Sequence, residues 1–452
     1  MSLSTGTVTG YGAVAGPFEM LKAPALAILP ALYTKEYGLA LTTVSFALLL
    51  LRLSDGATDF LVGVWSDRTR SRWGPRKPWL LASILLAVPS AYFLYVPGDS
   101  ASIWQFSICY FFFYLAWTMF DIPYTAWSAE LARSYEDRSR LSLSRGAWTN
   151  AGLIVLSLVP LLPFLPSTEM NFATLQVIFW IVAIAYPLGV LYAFFRVPTG
   201  NLVVSATSFN LRETVRSVRG NRPLMLFLAI AFLSDLGLGT MGALFFLFFD
   251  SYLGIGASFS LIFLTAIAVS TVSLKLWELL VRRSSKQRLL VVGLAGAVAH
   301  GLLIAVLDPG PYALPMFVAY MSLYYILQVG RDVALYSMFG DIVDYDTLRT
   351  GGNRAGQYTS AWMVLRKLGY AVAPAIAFFV AGIAGYDPAA EQHDAVAILG
   401  LKAANGYVPA LLMLSATLLA LRFPLTPERH RIIRRRLEQR AARAAAGNSK
   451  AA

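Results

Sequence analysis

The sequence predicts an all-α polytopic membrane protein with twelve transmembrane helices in two six-helix halves. Three observations lead there. Of the 452 residues, 57% are hydrophobic and only 14% charged, with a mean hydropathy of +0.60, whereas soluble domains carry about 25% charged residues. A spanning helix needs about 20 apolar residues, and the chain offers twelve such stretches between its breakers. Finally, Lys and Arg alternate strongly between successive connections.

The apolar stretches lie near residues 11–32, 42–65, 78–97, 103–127, 144–165 and 174–195, then 223–249, 259–280, 289–307, 312–338, 359–384 and 404–422. The connections after the even-numbered spans, with the C-terminal tail, hold 27 of the 37 Lys and Arg residues. The connections after the odd-numbered spans hold two, Lys35 and Lys402. Positive charge collects on the cytoplasmic side, so both termini are expected there, in an integral multi-pass protein of the cytoplasmic (inner) membrane.

The longest interior polar segment, 196–222, carries Arg196, Arg212, Glu213, Arg216, Arg219 and Arg222. It divides the chain into an N-terminal half (1–195), a cytoplasmic linker (196–222), a C-terminal half (223–423) and a basic tail (424–452). Two six-helix halves with a site between them at the midplane are the plan of many secondary transporters. The formal charge of +12 sits between spans, where it sets topology rather than binding nucleic acid. The tail from Arg429 to Arg443 is expected to form a basic amphipathic helix on anionic headgroups. One cysteine, Cys109, rules out a disulfide framework, and His300, His393 and His430 are too dispersed for a metal site. No cofactor is expected beyond a coupling ion, and the chain is expected to act as a monomer among membrane lipids.

Charged side chains at a helix centre cost about 2.5–3.5 kcal/mol on insertion scales, so those present mark partners or pathways. Span two has the densest set. Arg52, Asp55 and Asp59 follow at offsets of three and four, on one helix face, with Thr58 adjacent. Two carboxylates and a hydroxyl are hard oxygen ligands for a small cation. Their mutual repulsion disfavours double ionisation, so a proton is the alternative occupant. Span four carries the stripe Tyr114, Thr118, Asp121 and Thr125, suited to a hydroxylated ligand or to interhelical hydrogen bonds. Glu19 and Lys22 stand among the prolines of span one, Arg331 and Asp332 lie in span ten, and Arg366 and Lys367 begin span eleven. Asp235 reads as isolated. The loop 66–77 holds five bases around Asp67 and can serve as a gate against Asp341 and Asp344.

These segments resemble the glycoside–pentoside–hexuronide:cation symporter family of the major facilitator superfamily, typified by the melibiose permease. The resemblance rests on Arg52-Leu-Ser-Asp55-Gly-Ala-Thr-Asp59 running into Ser66-Asp-Arg-Thr-Arg-Ser-Arg-Trp-Gly-Pro-Arg-Lys-Pro-Trp79. It continues in Asp121-Ile-Pro-Tyr124 and in Asp341-Ile-Val-Asp-Tyr-Asp346, followed by Leu365-Arg-Lys-Leu. It implies the major facilitator fold and a cation site of Asp55, Thr58, Asp59 and Thr118. The family often has Asn where Thr58 stands, and both Na⁺ and H⁺ fit. The resemblance further implies sugar contacts from Asp121, Glu19, Arg145 and Lys367, and a cytoplasmic gate of Asp341 and Arg138, which Asp67 and Asp344 would join. Thr125 and Asp332 occupy places where the melibiose permease has aromatic residues, which points to a more polar ligand than a galactoside.

The function expected is cation (Na⁺ or H⁺)-coupled symport of a sugar, glycoside or related polar solute by alternating access, not enzymatic catalysis. Two alternatives stand beside it. One is the same fold carrying a lysolipid or other amphiphile. The other is a Mg²⁺-dependent membrane enzyme built on Asp341, Asp344 and Asp346.

Overall fold

A computed structural model describes residues 3–98, 101–132, 134–200, 216–352, 354–390 and 392–451. Residues 201–215 of the linker, with Arg212 and Glu213, lie outside the described residues. The described chain is helical, without strands. It opens with three short helices, α1 (Thr5–Gly12), α2 (Ala15–Ala27) and α3 (Leu29–Tyr37). The bend between α2 and α3 is 49°, and its cause is local: Pro24 lies inside α2 and Pro30 at the start of α3, each removing a backbone donor. Then follow α4 (Leu41–Arg68), α5 (Lys77–Tyr95), α6 (Ile103–Leu131), α7 (Tyr135–Leu158) and α8 (Phe172–Arg196).

Beyond the linker come α9 (Arg222–Ala243), extended by a π-helical turn to Tyr252, α10 (Phe259–Arg283) and α11 (Lys286–Leu302). The chain ends with α12 (Ala313–Thr350), α13 (Ala355–Ile383), α14 (Ala395–Lys402), α15 (Val408–Leu421) and α16 (Pro427–Ala451). Among the described residues, nine helices are long and apolar enough to cross a membrane, ten if the bent pair α1–α3 is one span. The 28-residue α4 and 24-residue α7 are as long but too polar to be among them. Side chains such as Leu85, Trp104 and Phe195 are at least three-quarters exposed on the outer surface, as suits a protein solvated by hydrocarbon rather than water.

Helices approach closely where side chains are smallest, the usual device of membrane bundles. A Cβ on Gly152 of α7 would collide with the carbonyl oxygen of Gly16 on α2. Tyr11 and Tyr124 stack with centroids 4.3 Å apart, and each hydroxyl donates to the other's backbone carbonyl. His300 is buried, stacked on Tyr320 at 3.9 Å and bonded to its carbonyl; it is a packed core residue.

Contacts between the helices before and after the linker run mainly along α4 with α13 and α7 with α10. Helices α4 and α13 run antiparallel. Thr42 meets Gly382, Phe46 meets Phe379, and the Ser45 hydroxyl donates to the Ala375 carbonyl. At the same end, Lys35 Nζ lies 2.7 Å from Asp250 Oδ2 and the Thr168 hydroxyl donates to the Ala257 carbonyl. Among the described residues, no hydrogen bond or ion pair joins the last turns of α4, Phe60–Arg68, to α13. The polar ties between the two groups of helices thus gather at one end of the bundle.

Candidate cation and solute site

The centre of the bundle is built on α4 and α6. Asp55 and Asp59 face α6 one turn apart, and Thr118 Oγ1 lies 2.9 Å from an oxygen of each carboxylate. A hydroxyl has one proton, so it donates to one carboxylate only. The second contact sets oxygen against oxygen and calls for a proton or a cation between them. The opposite oxygens already have cations nearby. Lys367 of α13 is ion-paired with Asp59 and lies 3.9 Å from Asp55, and Arg52 stands 3.7 Å from Asp55. Two carboxylates and two bases leave the cluster neutral while Lys367 is present.

Asp55, Asp59 and Thr118 are therefore brought together, and Lys367 joins them. Thr58 spends its proton on the Asp55 carbonyl at 3.0 Å, and among the described residues no hydrogen bond links it to either carboxylate.

The stripe of α6 continues into a second cluster. Arg145 of α7 donates to Asp121 at 2.7 Å and to Thr125 at 3.0 Å, with its guanidinium 4.9 Å from the Tyr124 ring centroid. Asp121 and Arg145 are each about a third or more exposed. Glu19 is paired with Lys22 at 2.6 Å. Lys22 and Arg52 both lie against the Trp117 ring, at 5.4 and 5.6 Å. This indole links the Glu19 pair to the cation cluster.

A third cluster lies on the other side. Asp235 is not isolated: Arg331 Nη2 lies 2.7 Å from it and 2.6 Å from Asp332. The sequence reading missed this pair because the partners sit on different helices, α9 and α12, with no spacing signal between them. Arg366 adds contacts to Asp332 at 3.4 Å and to the Tyr336 hydroxyl at 3.0 Å. Asp332 thus belongs to a neutral four-charge network, with Asp235 and Arg331 almost wholly buried.

The residues expected at a gate stand in separate clusters. Asp67 meets Arg76, which also binds Glu130 and Ser66; Glu130 went unnoticed in the sequence because it ends an otherwise apolar span. Arg138 is exposed, without a side-chain partner among the described residues. Asp341 pairs with Lys286 at 2.7 Å, and His430 of α16 reaches Asp341 and Asp344 at 3.3 and 3.1 Å. The tail helix accordingly packs against the end of α12. Asp346 is buried beside Asn221. Asp341 and Asp344 share His430 while Asp346 turns to Asn221, and among the described residues no group of three or more His, Cys, Asp or Glu is placed to hold a metal ion.

Comparison with known proteins agrees with this architecture. Residues 10–427 match the family model described as MFS/sugar transport protein. The chain is 26% identical to an uncharacterized symporter of Synechocystis, over 90% of this chain and 92% of the relative. It is 25% identical to a glucuronide carrier protein homolog of Escherichia coli K12, over 95% of each. Among solved structures, a nucleoside transporter superposes with a TM-score of 0.67 at 13% identity, over 92% of this chain and 98% of that one.

Proposed function

Since the chain belongs to the MFS/sugar transport protein family, we propose that it moves a sugar or glycoside across the cytoplasmic membrane by symport with Na⁺ or H⁺. Membership makes it an integral multi-pass transporter and not an enzyme. Its relatives include proteins named as symporters and as a glucuronide carrier homolog.

The observation that carries the reading is Thr118 between Asp55 and Asp59, with Lys367 on the far side of the carboxylates. A coupling cation entering this site competes with the Lys367 ammonium. Displacement frees Lys367 for the solute and weakens one tie between α4 and α13. Coupling of this kind needs only that ion and solute each bind one conformation better, by 1–3 kcal/mol in ordinary cases. The solute site is read as Asp121, Arg145 and Thr125 with Glu19, Lys367 and Asp332 around the same interior space. The Asp121 carboxylate and Arg145 guanidinium exchange their mutual pair for sugar hydroxyls, and the ring face has the Trp117 indole within reach.

The two halves, 1–195 and 223–423, rock about this site, with α4 and α7 completing twelve spans. The conformation described is closed at the end tied by Lys35 and Asp250. The distribution of Lys and Arg places the opposite end, the linker and both termini toward the cytoplasm. Asp67, Arg138, Asp341 and Asp344 then come together only when that end closes.

The test is uptake into proteoliposomes under an imposed Na⁺ or proton gradient, with a panel of neutral glycosides and glycosiduronic acids. Concentrative, gradient-dependent uptake that is lost in Asp59→Asn is the expected result. Concentrative uptake unchanged in Asp59→Asn would overturn the coupling assignment.

A further inference from the structure

A groove of about 420 Å³ opens where α9, α12 and α16 meet, at the end of the bundle away from the Lys35–Asp250 pair. Arg222, Arg349, Arg429 and Arg436 line it, together with apolar residues that include Leu425 and Ile432, and among the described residues no acidic side chain does. Glu428 and Glu438 stand at exposed positions of α16 outside the groove lining, and two acids of α12 are engaged elsewhere. Asp346 is buried against Asn221, and Asp344 meets His430. Four guanidinium groups around one groove repel each other and are not neutralised by the residues that form it. Arg349 and Arg429 are held in place by donating to the Gly220 and Pro424 carbonyls. The planar guanidinium fork matches phosphate oxygens.

The groove also lies where hydrocarbon ends. On α15, Leu411, Leu414, Leu418 and Leu421 are 43–64% exposed. Their spacing of three, four and three keeps them on one face. This stripe stops three residues before Pro424, which lines the groove. Met225, one turn beyond Arg222 on α9, is likewise exposed. An apolar path therefore leads from the outer surface of the bundle to the arginines. A soluble phosphate needs no such path, whereas a phospholipid with its chains along α15 needs both features. The geometry points to a binding site for the phosphodiester headgroup of an anionic phospholipid. Basic pockets between helix ends are the general form of such sites. Because α16 and α12 form two of its walls, a bound lipid fastens the tail helix to the bundle.

Full-length protein, delipidated in neutral detergent, is titrated with phosphatidylglycerol and examined by native mass spectrometry. Phosphatidylcholine, glycerol phosphate and inorganic phosphate serve as comparison probes. Arg222→Gln/Arg436→Gln leaves the two backbone-anchored arginines in place. Arg434→Gln/Arg435→Gln removes the same charge from exposed positions of α16 outside the groove lining. Phosphatidylglycerol is expected to bind at least tenfold more tightly than phosphatidylcholine and to resist displacement by glycerol phosphate. The groove variant should lose at least fivefold in affinity while the other double variant keeps wild-type binding. If the groove double variant does not fold, the two single substitutions are read separately, each with at least a twofold loss. Equal losses in both double variants would reduce the site to diffuse tail charge. Equal binding of phosphatidylcholine, or ready displacement by either soluble phosphate, would overturn a headgroup site.

Discussion

The ammonium of Lys367, on α13, is paired with the Asp59 carboxylate of α4 and lies 3.9 Å from Asp55. It bridges the two groups of helices at the place where the sequence sets its densest intramembrane charge. An internal cation on the carboxylates means that the cation-free protein has no uncompensated negative charge there, and that an arriving ion must replace a partner. In the proposed symport, coupling between ion and conformation rests on that exchange.

Lys367→Met tests the exchange. Its side chain is about half exposed, so screening limits the loss to about 1 kcal/mol in the cation-free protein. That lowers the melting temperature by roughly 1–2 °C. The rise on adding the coupling ion should exceed the wild-type rise, because a competitor is gone. A smaller rise than wild type would show that Lys367 assists ion binding.

The pair Asp235 and Arg331 is almost wholly buried and should behave differently. Removing one partner of such a pair costs about 3–5 kcal/mol, while replacing both with neutral groups is far milder. Asp235→Asn and Arg331→Gln should each lower thermal stability sharply, and the double variant should recover most of it. Additive losses would contradict the pairing.

At the tied end, Lys35→Ala releases Asp250. A partly exposed pair of this kind contributes about 1 kcal/mol, enough for a roughly fivefold shift between conformations. In a Cys109→Ser background, a cysteine at Thr42, which packs against Gly382, should be alkylated several-fold faster once Lys35 is removed. Unchanged alkylation would show that the latch carries no conformational bias.

Gly152→Ala probes the approach of α7 to α2. The new methyl group would collide with the Gly16 carbonyl oxygen, so the helices must separate. Overpacking of this sort costs about 1–3 kcal/mol, and the melting temperature should drop accordingly. An unchanged value would mean that α2 yields without cost.

Much of this architecture is legible in the residues. Hydropathy locates the helices, and the offsets of three and four between Arg52, Asp55 and Asp59 place them on one face. Thr118 and Arg145 are another matter. They stand beside Asp59 and Asp121 through tertiary packing, and only the family resemblance implied their roles. The Asp235–Arg331 pair escaped because nothing in a linear pattern joins α9 to α12. Helix ends were missed for a related reason. The last turns of α12, Phe339–Thr350, are polar, so hydropathy stops before them. Yet α12 runs 38 residues, about 57 Å at 1.5 Å per residue. Its end supplies Asp341 and Asp344 to the tail and Arg349 to the basic groove. Thr58 shows the converse: its place in a motif does not reveal that its hydroxyl bonds its own helix.

The most direct test of the account is the melting temperature of purified protein in Na⁺, Li⁺, K⁺ and choline across pH, wild type beside Asp59→Asn. A ligand at a hundredfold excess over its dissociation constant stabilises by about 2.7 kcal/mol, well within reach of the measurement. The account predicts a rise specific to Na⁺ or Li⁺, or a pH-dependent shift in its place, and predicts that Asp59→Asn abolishes it. An ion response that survives Asp59→Asn unchanged, or no response to metal ions or to pH, would contradict a coupling site on Asp55, Asp59 and Thr118.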